Sequence, residues 1–107
     1  MRYSTGYYTI PISGTVSNII EVQGADRIGL IVTIPTSCVA YIQGHTEPTS
    51  AGFRRISKLD GSNDWAWNVA SGNKAIDLQN VSAFPFLRLE TSVAQSSAVA
   101  LTVVTKL

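Results

Sequence analysis

The stretch FPFLRLET, residues 84–91, and the stretch VALTVVTK, residues 99–106, decide the fold class of this chain. In both, apolar residues recur at about every second position, which is the pattern of a β-strand with one face buried. Between them lies VAQSSA, residues 93–98, which breaks the alternation with small and polar side chains. The last third of the chain is therefore predicted to form two β-strands around a polar turn.

Strand-like segments continue upstream, and no segment shows the 3.6-residue period of an amphipathic helix. Turn-forming residues such as Gly24, Pro35 and Asp60-Gly61 separate these segments. A run of about eight or nine short strands at this spacing is typical of a sandwich. We therefore predict an all-β, jelly-roll-like β-sandwich of antiparallel strands. The predicted strands before the closing pair are residues 7–12, 15–23, 27–34, 38–43, 53–59, 64–70 and 74–78.

The 107 residues suit one domain and are too few for two independent cores. No internal repeat or linker interrupts them, so we predict a single sandwich domain over residues 1–107. The segment RIGLIVTI, residues 27–34, is almost continuously apolar and indicates a strand that is covered on both faces or central in its sheet. The residues predicted to point into the core are Ile20, Val22, Leu30, Val32, Val39, Tyr41, Ile56, Val69, Ile76, Leu87, Leu89, Leu101 and Val103.

The surface is predicted to be weakly charged. Charged residues make up only 14% of the chain, against roughly 25% in an average soluble domain, so uncharged polar side chains must cover most of the surface. Such surfaces suit proteins that work packed against neighbours. The net charge is +1 and no basic stripe with interleaved aromatics is present, which argues against nucleic acid as a partner. Of the adjacent Arg54 and Arg55, we expect one to be exposed and the other paired.

The first residues, MRYSTGYY, lack the apolar segment of a signal peptide, and no run approaches the roughly 20 apolar residues needed to cross a bilayer. We expect synthesis in a reducing cytoplasm and no membrane partner. The single cysteine, Cys38, lies in the apolar segment SCVAYI and is expected to be a buried small side chain.

Catalytic chemistry is difficult to assemble from these residues. His45 is the only histidine and is predicted to lie in a loop over residues 44–52, and no GxSxG nucleophile motif is present. His45 and Glu47 are too few to hold a metal ion. Asp77 and Glu90 fall in predicted strands and are expected to face outward. The sequence therefore predicts no catalytic residue, no metal site and no cofactor, and a protein that is not an enzyme.

The segment DWAWN, residues 64–68, is the sharpest candidate for binding. In a strand, Trp65 and Trp67 point to the same face and present two adjacent indoles. If exposed, they would form a platform for sugar rings, with neighbouring polar side chains on the hydroxyls. The favoured interpretation is that they pack in the core or cover one end of the sandwich. Contact with another subunit is a third interpretation.

The N-terminal segment carries three tyrosines in seven residues, RYSTGYY. Residues 1–6 are predicted to be a flexible arm or an arm docked on a partner, with Tyr3 and Tyr7 as contact residues. Docking onto the domain's own sheet is an equally good interpretation of the same pattern.

A resemblance to a known family rests on two stretches. AIDLQNVSAFPFLRLETSVAQSSAVALTVVTKL, residues 75–107, resembles the closing strands of small β-sandwich virion proteins of tailed bacteriophages. GADRIGLIVTI, residues 24–34, followed by CVAYIQG, residues 38–44, looks like their early central strands. The resemblance implies a structural role in capsid decoration or cement, in head fibres or in the tail. It also implies homo-oligomers, often trimers.

Two functions follow as predictions. The leading one is a non-enzymatic virion structural protein that binds other capsid or tail subunits through its sandwich surfaces or through an exposed edge strand. It would be made in the host cytoplasm without a signal peptide and end in the virion. The alternative is a carbohydrate-binding module for glycans of the host surface, using Trp65 and Trp67.

Overall fold

A computed structural model describes residues 3–22, 27–57, 64, 66–78 and 84–106 of the chain, without the side chains of Tyr3 and Asp77. Over these residues the regular structure is entirely β, so the predicted fold class is confirmed. The strands are β1 (Tyr3–Ile10), β2 (Ile20–Glu21), β3 (Arg27–Ile34), β4 (Cys38–His45), β5 (Arg54–Arg55), β6 (Ala66–Val69), β7 (Gly72–Leu78), β8 (Phe86–Thr91) and β9 (Val99–Lys106).

The strand pairing is that of one long hairpin rolled into two sheets. β1 pairs with β9, β2 with β8 and β3 with β7, always antiparallel, so the two ends of the chain run side by side. At the closed end of this hairpin, β4 pairs with both β5 and β6. Consecutive strands alternate between the two sheets, except that β4, β5 and β6 all belong to the same sheet. This is the strand order of a jelly roll.

Two further pairings complete the sheets. β9 also pairs with β3, which gives sheet I the order β1-β9-β3-β7. β8 also pairs with β4, so sheet II contains β2, β8 and β4, with β5 and β6 end to end along the far edge of β4. The central strand β3 spans the predicted residues, and only one of its faces is buried. Its apolar run therefore reflects a position in the middle of a sheet, which was one of the two interpretations.

One cluster of buried apolar side chains fills the space between the sheets. Every predicted core residue is buried except Val39 and Tyr41, for which the prediction is wrong. Residues 38–42 are apolar on both faces, and β4 turns Ala40 and Ile42 inward because Ile42 pairs with the buried Leu89 of β8. Val39 and Tyr41 are left half-buried on the outside. Buried residues that the prediction missed include Ile10, Ile28, Ile34, Ala40, Ile42, Phe53, Leu78 and Val99.

The N-terminal segment is a strand. Residues 3–6, predicted to lie in an arm, belong to β1 and pair with β9 from Lys106 back to Val103. Residues 1–2 lie outside the described residues. From Tyr3 onward, the interpretation that holds is docking onto the domain's own sheet, because the closing strand offers a full-length partner for the segment.

The predicted strands at 53–59 and 64–70 are much shorter in the structure. β5 pairs with Gln43 and Gly44, whereas β6 pairs with residues 38–41 of the same strand. The two therefore act as one interrupted strand along β4, and an antiparallel bridge between Ser57 and Asp64 closes the base of the segment between them. The predicted turn at Asp60-Gly61 lies outside the described residues.

A buried glutamine ties together three loops at one end of the sandwich. Gln95 is 1% exposed, and its Oε1 accepts from the Thr36 N–H at 2.9 Å while its Nε2 donates to the Val93 carbonyl at 3.0 Å. The Gln95 carbonyl accepts from the Ser13 N–H at 3.0 Å. These bonds hold the predicted polar turn between β8 and β9 against the loops after β1 and β3.

Candidate functional site

On the outer face of sheet I, the cross-strand register aligns residues of the four strands in rows. Residues on this face alternate with the buried residues of the core. The cross-strand register defines three complete rows, namely Thr5–Val104–Gly29–Asp77, Tyr7–Thr102–Ile31–Ala75 and Thr9–Ala100–Thr33–Asn73. A fourth row, Tyr3–Lys106–Arg27, lies at one end. We call this surface the uncharged face, because the described side chains of its three complete rows carry no formal charge.

Two large side chains stand out from the uncharged face. Tyr7 is 79% exposed and Ile31 is 51% exposed, and both belong to the middle row. The described side chains of the three complete rows carry no formal charge, and Asp77 occupies a register position at the β7 edge. Arg27 and Lys106 place positive charge at one end only. The middle row thus exposes two large side chains among small or uncharged neighbours, a composition that is common on surfaces buried against another protein.

The outer face of sheet II has the opposite character, because a connected polar network covers it. Glu90 on β8 accepts from Arg55 Nε at 2.9 Å, from Arg55 Nη2 at 2.8 Å and from Gln43 Nε2 at 2.8 Å. Gln43 Oε1 in turn accepts from Arg88 Nε at 2.7 Å. The two-pronged arginine–carboxylate contact is the geometry that makes such pairs specific. We call this surface the network face.

Two aromatic rings lie under the arginines of the network face. The Arg55 guanidinium carbon is 3.8 Å from the centroid of the Tyr41 ring, and that of Arg88 is 4.5 Å from the centroid of Phe53. His45, the last residue of β4, meets the Phe53 ring edge-on at 5.3 Å between centroids. The arginines thus cover ring faces that would otherwise be open, and Phe53 is only 6% exposed.

The network shifts the pKa values of its charged groups. Hydrogen bonds from Arg55 lower the pKa of Glu90, which burial alone would raise, and the bond from Gln43 lowers it further. The same bond to Glu90 raises the pKa of Arg55, while burial lowers the pKa of Arg88. Glu90 is therefore ionised at neutral pH, and Arg55 is the paired member of the Arg54–Arg55 dipeptide. The prediction of one paired arginine is confirmed.

The expected binding residues fall in different places. Tyr7 lies exposed on the uncharged face, and the backbone of Tyr3 pairs with Lys106 at its end. Trp67 is aligned with the buried Ala40 and packs half-buried against the core cluster. This position favours the packing interpretation for Trp67. Trp65 lies outside the described residues, so the two-indole platform stays a prediction.

The remaining chemistry-bearing residues are tied to the fold. His45 Nε2 lies 3.3 Å from the Thr49 hydroxyl, and a half-buried position at a strand end replaces the loop position that was predicted. Cys38 is half-buried, and burial raises the pKa of its thiol. An open depression of about 490 Å³ lies beside it, lined by Ser37, Cys38, Val39, Asn68, Val69, Ala70 and Ser92.

Two kinds of structural feature are absent from the described residues. No group of three or more metal-ligating side chains occurs among them. Within the same residues, no helix has the length and apolar character needed to cross a membrane.

The sequence did not lead us to predict that Ile31 of β3 is exposed. Ile31 and Gly29 stand on the uncharged face, one row apart. A signal was present in RIGLIVTI, because an apolar Ile31 at an outward position breaks the alternation that a solvent-facing strand would show. The prediction for this run was a strand that is covered on both faces or central in its sheet, and it did not single out Ile31 as an exposed side chain.

No protein-family model and no curated protein matches this chain. Among solved structures, the crystal structure of the SPBc2 prophage-derived protein YomS aligns with a TM-score of 0.56. The two chains share a fold. The alignment covers 98% of this chain and 95% of YomS at 10% sequence identity, so it extends over the whole sandwich.

Proposed function

We propose that this protein is a non-enzymatic structural component of a bacteriophage virion that assembles with other subunits through the uncharged face. The observation that carries the proposal is the exposure of Tyr7 and Ile31 on the outer face of sheet I. Both lie in the middle one of three rows whose described side chains carry no formal charge. A solvated sheet face normally places charged or strongly polar residues at such positions. Keeping Ile31 in water has no benefit for a free monomer.

The likeness to the virion proteins of tailed phages supports the phage part of the proposal, and YomS adds a prophage-derived protein with the same fold. Jelly rolls recur in viral capsid domains, where the sandwich is a rigid block and its faces and loops make the contacts. In this proposal the chain is made in the host cytoplasm and ends in the particle, as capsid decoration or cement or as a head or tail accessory.

The network face supports a division of labour between the two sheets. Its arginines, carboxylate and amide already satisfy one another and cover the rings of Tyr41 and Phe53. A surface whose polar groups are paired internally gains little from a partner, because binding would have to replace those bonds or bury them. The described side chains of the uncharged face include no arginine–carboxylate network, although Thr33 donates to Asn73 at 2.8 Å, so fewer internal bonds would have to be replaced or buried.

The test is incorporation into particles. The chain is co-expressed with the virion genes that neighbour its own, assembled particles are purified by density gradient, and the bound chain is quantified by mass spectrometry. The proposal expects a fixed number of copies per particle that withstands washing in high salt, because burial of uncharged surface is not screened. Absence of the chain from purified particles would overturn the proposal.

A further inference from the structure

We infer that the uncharged face binds a second copy of this chain, face to face and antiparallel, with Ile31 of each copy seated over Gly29 of the other. The inference deepens the proposed function and rests on it, since it names the first partner that the uncharged face takes in assembly. Three features of that face support the inference: its size, its charge distribution and its surface shape.

The size of the face is sufficient for a dimer. Four strands about 4.8 Å apart and about eight residues long at about 3.3 Å each give a surface of about 500 Å². Two copies would bury about 1,000 Å², which is the lower limit for a specific interface. Flat sheet faces pack against each other about 10 Å apart with interdigitating side chains, as the two sheets of a sandwich do.

The charges select one of two symmetric orientations. A two-fold axis parallel to the strands would stack like rows on like rows and bring Arg27 and Lys106 onto the same residues of the second copy. An axis across the strands reverses the row order. It places this basic end over the uncharged row of Thr9, Ala100, Thr33 and Asn73, and the register position of Asp77 over that of Ala75. Like charges a few ångströms apart are unfavourable at an interface, so the antiparallel orientation is preferred.

The surface shape of the face, with its protruding and small side chains, fits the same orientation. With the axis between the two central rows, each residue of the Ile31 row faces its strand neighbour in the Gly29 row of the second copy. The protruding Ile31 then lies over a glycine, and a Cβ placed at Gly29 would find its nearest atom, the Ile76 carbonyl oxygen, 3.8 Å away. The same operation sets Tyr7 over Thr5 of the second copy. Each large side chain thus meets a smaller one.

Light scattering on the purified chain tests the inference. The expected mass is twice the 11.5 kDa of the chain. Ile31→Lys buries a charge at the centre of the interface and should weaken dimerisation about 100-fold, giving a monomer at the same concentration. Val93→Lys is the matched control, because Val93 is 45% exposed in the turn after β8 and lies off the uncharged face. A wild-type monomer or trimer, or a dimer that survives Ile31→Lys, would overturn the inference.

A charge insertion tests the orientation. Thr33→Glu should tighten the dimer about fivefold relative to Thr33→Gln, because Glu at this position faces Arg27 of the second copy. If the axis ran along the strands, two added glutamates would approach each other and the dimer would weaken. Weakening by Thr33→Glu relative to Thr33→Gln would overturn the antiparallel arrangement.

The outcomes also separate this inference from the proposed function. A chain that is monomeric in solution yet present in purified particles would remove the dimer and leave the virion role. A chain that dimerises as described yet is absent from particles would remove the virion role and leave the dimer.

Discussion

The two outer faces of the sandwich use the chain's few charges in opposite ways. The network face gathers Arg55, Arg88 and Glu90 into one bonded group above two aromatic rings. The uncharged face leaves Tyr7 and Ile31 in solvent and holds its basic residues at one end. The low overall charge of the chain is therefore unevenly distributed. Sheet II therefore stabilises the domain through contacts among its own side chains, whereas sheet I carries the surface that we propose binds another protein.

The substitution expected to lower the free energy of unfolding most is one that removes Glu90 from the network face. Glu90→Ala leaves the Gln43 amide and the Arg55 guanidinium without their acceptor, in a site where the Glu90 side chain is only 17% exposed. We expect the free energy of unfolding to fall by about 2 kcal/mol, a value kept low because Arg55 is 41% exposed and can rehydrate. Urea denaturation measures it. Glu21→Ala, at an exposed position of β2, is the control and should change stability by less than about 0.5 kcal/mol.

An intermediate effect depends on pH. The pKa of Glu90 is lowered in the folded state, so its contribution is complete above the unfolded-state pKa of about 4.3 and is lost as the pH falls through the lower folded-state value. Wild type should exceed Glu90→Gln by about 1 kcal/mol in unfolding free energy at neutral pH. The difference should shrink steadily in urea titrations taken below pH 4. A gap that is constant down to about pH 2 would show that charge plays no part in the network.

The smallest effect on folding is expected on the uncharged face. Ile31→Lys should change the unfolding free energy of the monomer by less than about 0.5 kcal/mol, because Ile31 is already 51% exposed. The expected sign of this substitution is that the melting temperature no longer depends on protein concentration. The melting temperature of the wild type should rise over an approximately hundredfold increase in protein concentration, as expected for an associating chain, and that of the variant should stay constant. A variant that unfolds at room temperature would contradict the contrast between the faces.

Alternation in the sequence predicted the strands well where one face of a strand is apolar and the other polar. The spans of β3 and β9 match the prediction, and the residues expected to be buried on β8 are buried. Prediction failed at residues 38–42, because apolar side chains on both faces of β4 leave its inward face undecided until β8 supplies a buried partner. The interrupted edge strand formed by β5 and β6 depends on pairing with β4, which no local pattern reports.

The candidate surface was only partly predictable for a related reason. The tyrosine-rich start of the chain predicts Tyr7 as a contact residue; the structure shows that Tyr7 is exposed, and the contact itself stays a prediction. The rows around Tyr7 depend on register across four strands that are distant in sequence, and register follows from pairing. The network on the other face likewise joins Gln43, Arg55 and Glu90 across three strands.

One measurement tests the central claim most directly: a single lysine placed on each face in turn, followed by quantification of the chain in purified particles. Ile31→Lys alters the uncharged face, and Asn68→Lys alters an exposed position on the outer side of β6 beside Val39. Both variants add the same charge. The account predicts that Ile31→Lys is lost from particles while Asn68→Lys is retained at the wild-type copy number. Retention of Ile31→Lys at the wild-type copy number would contradict it.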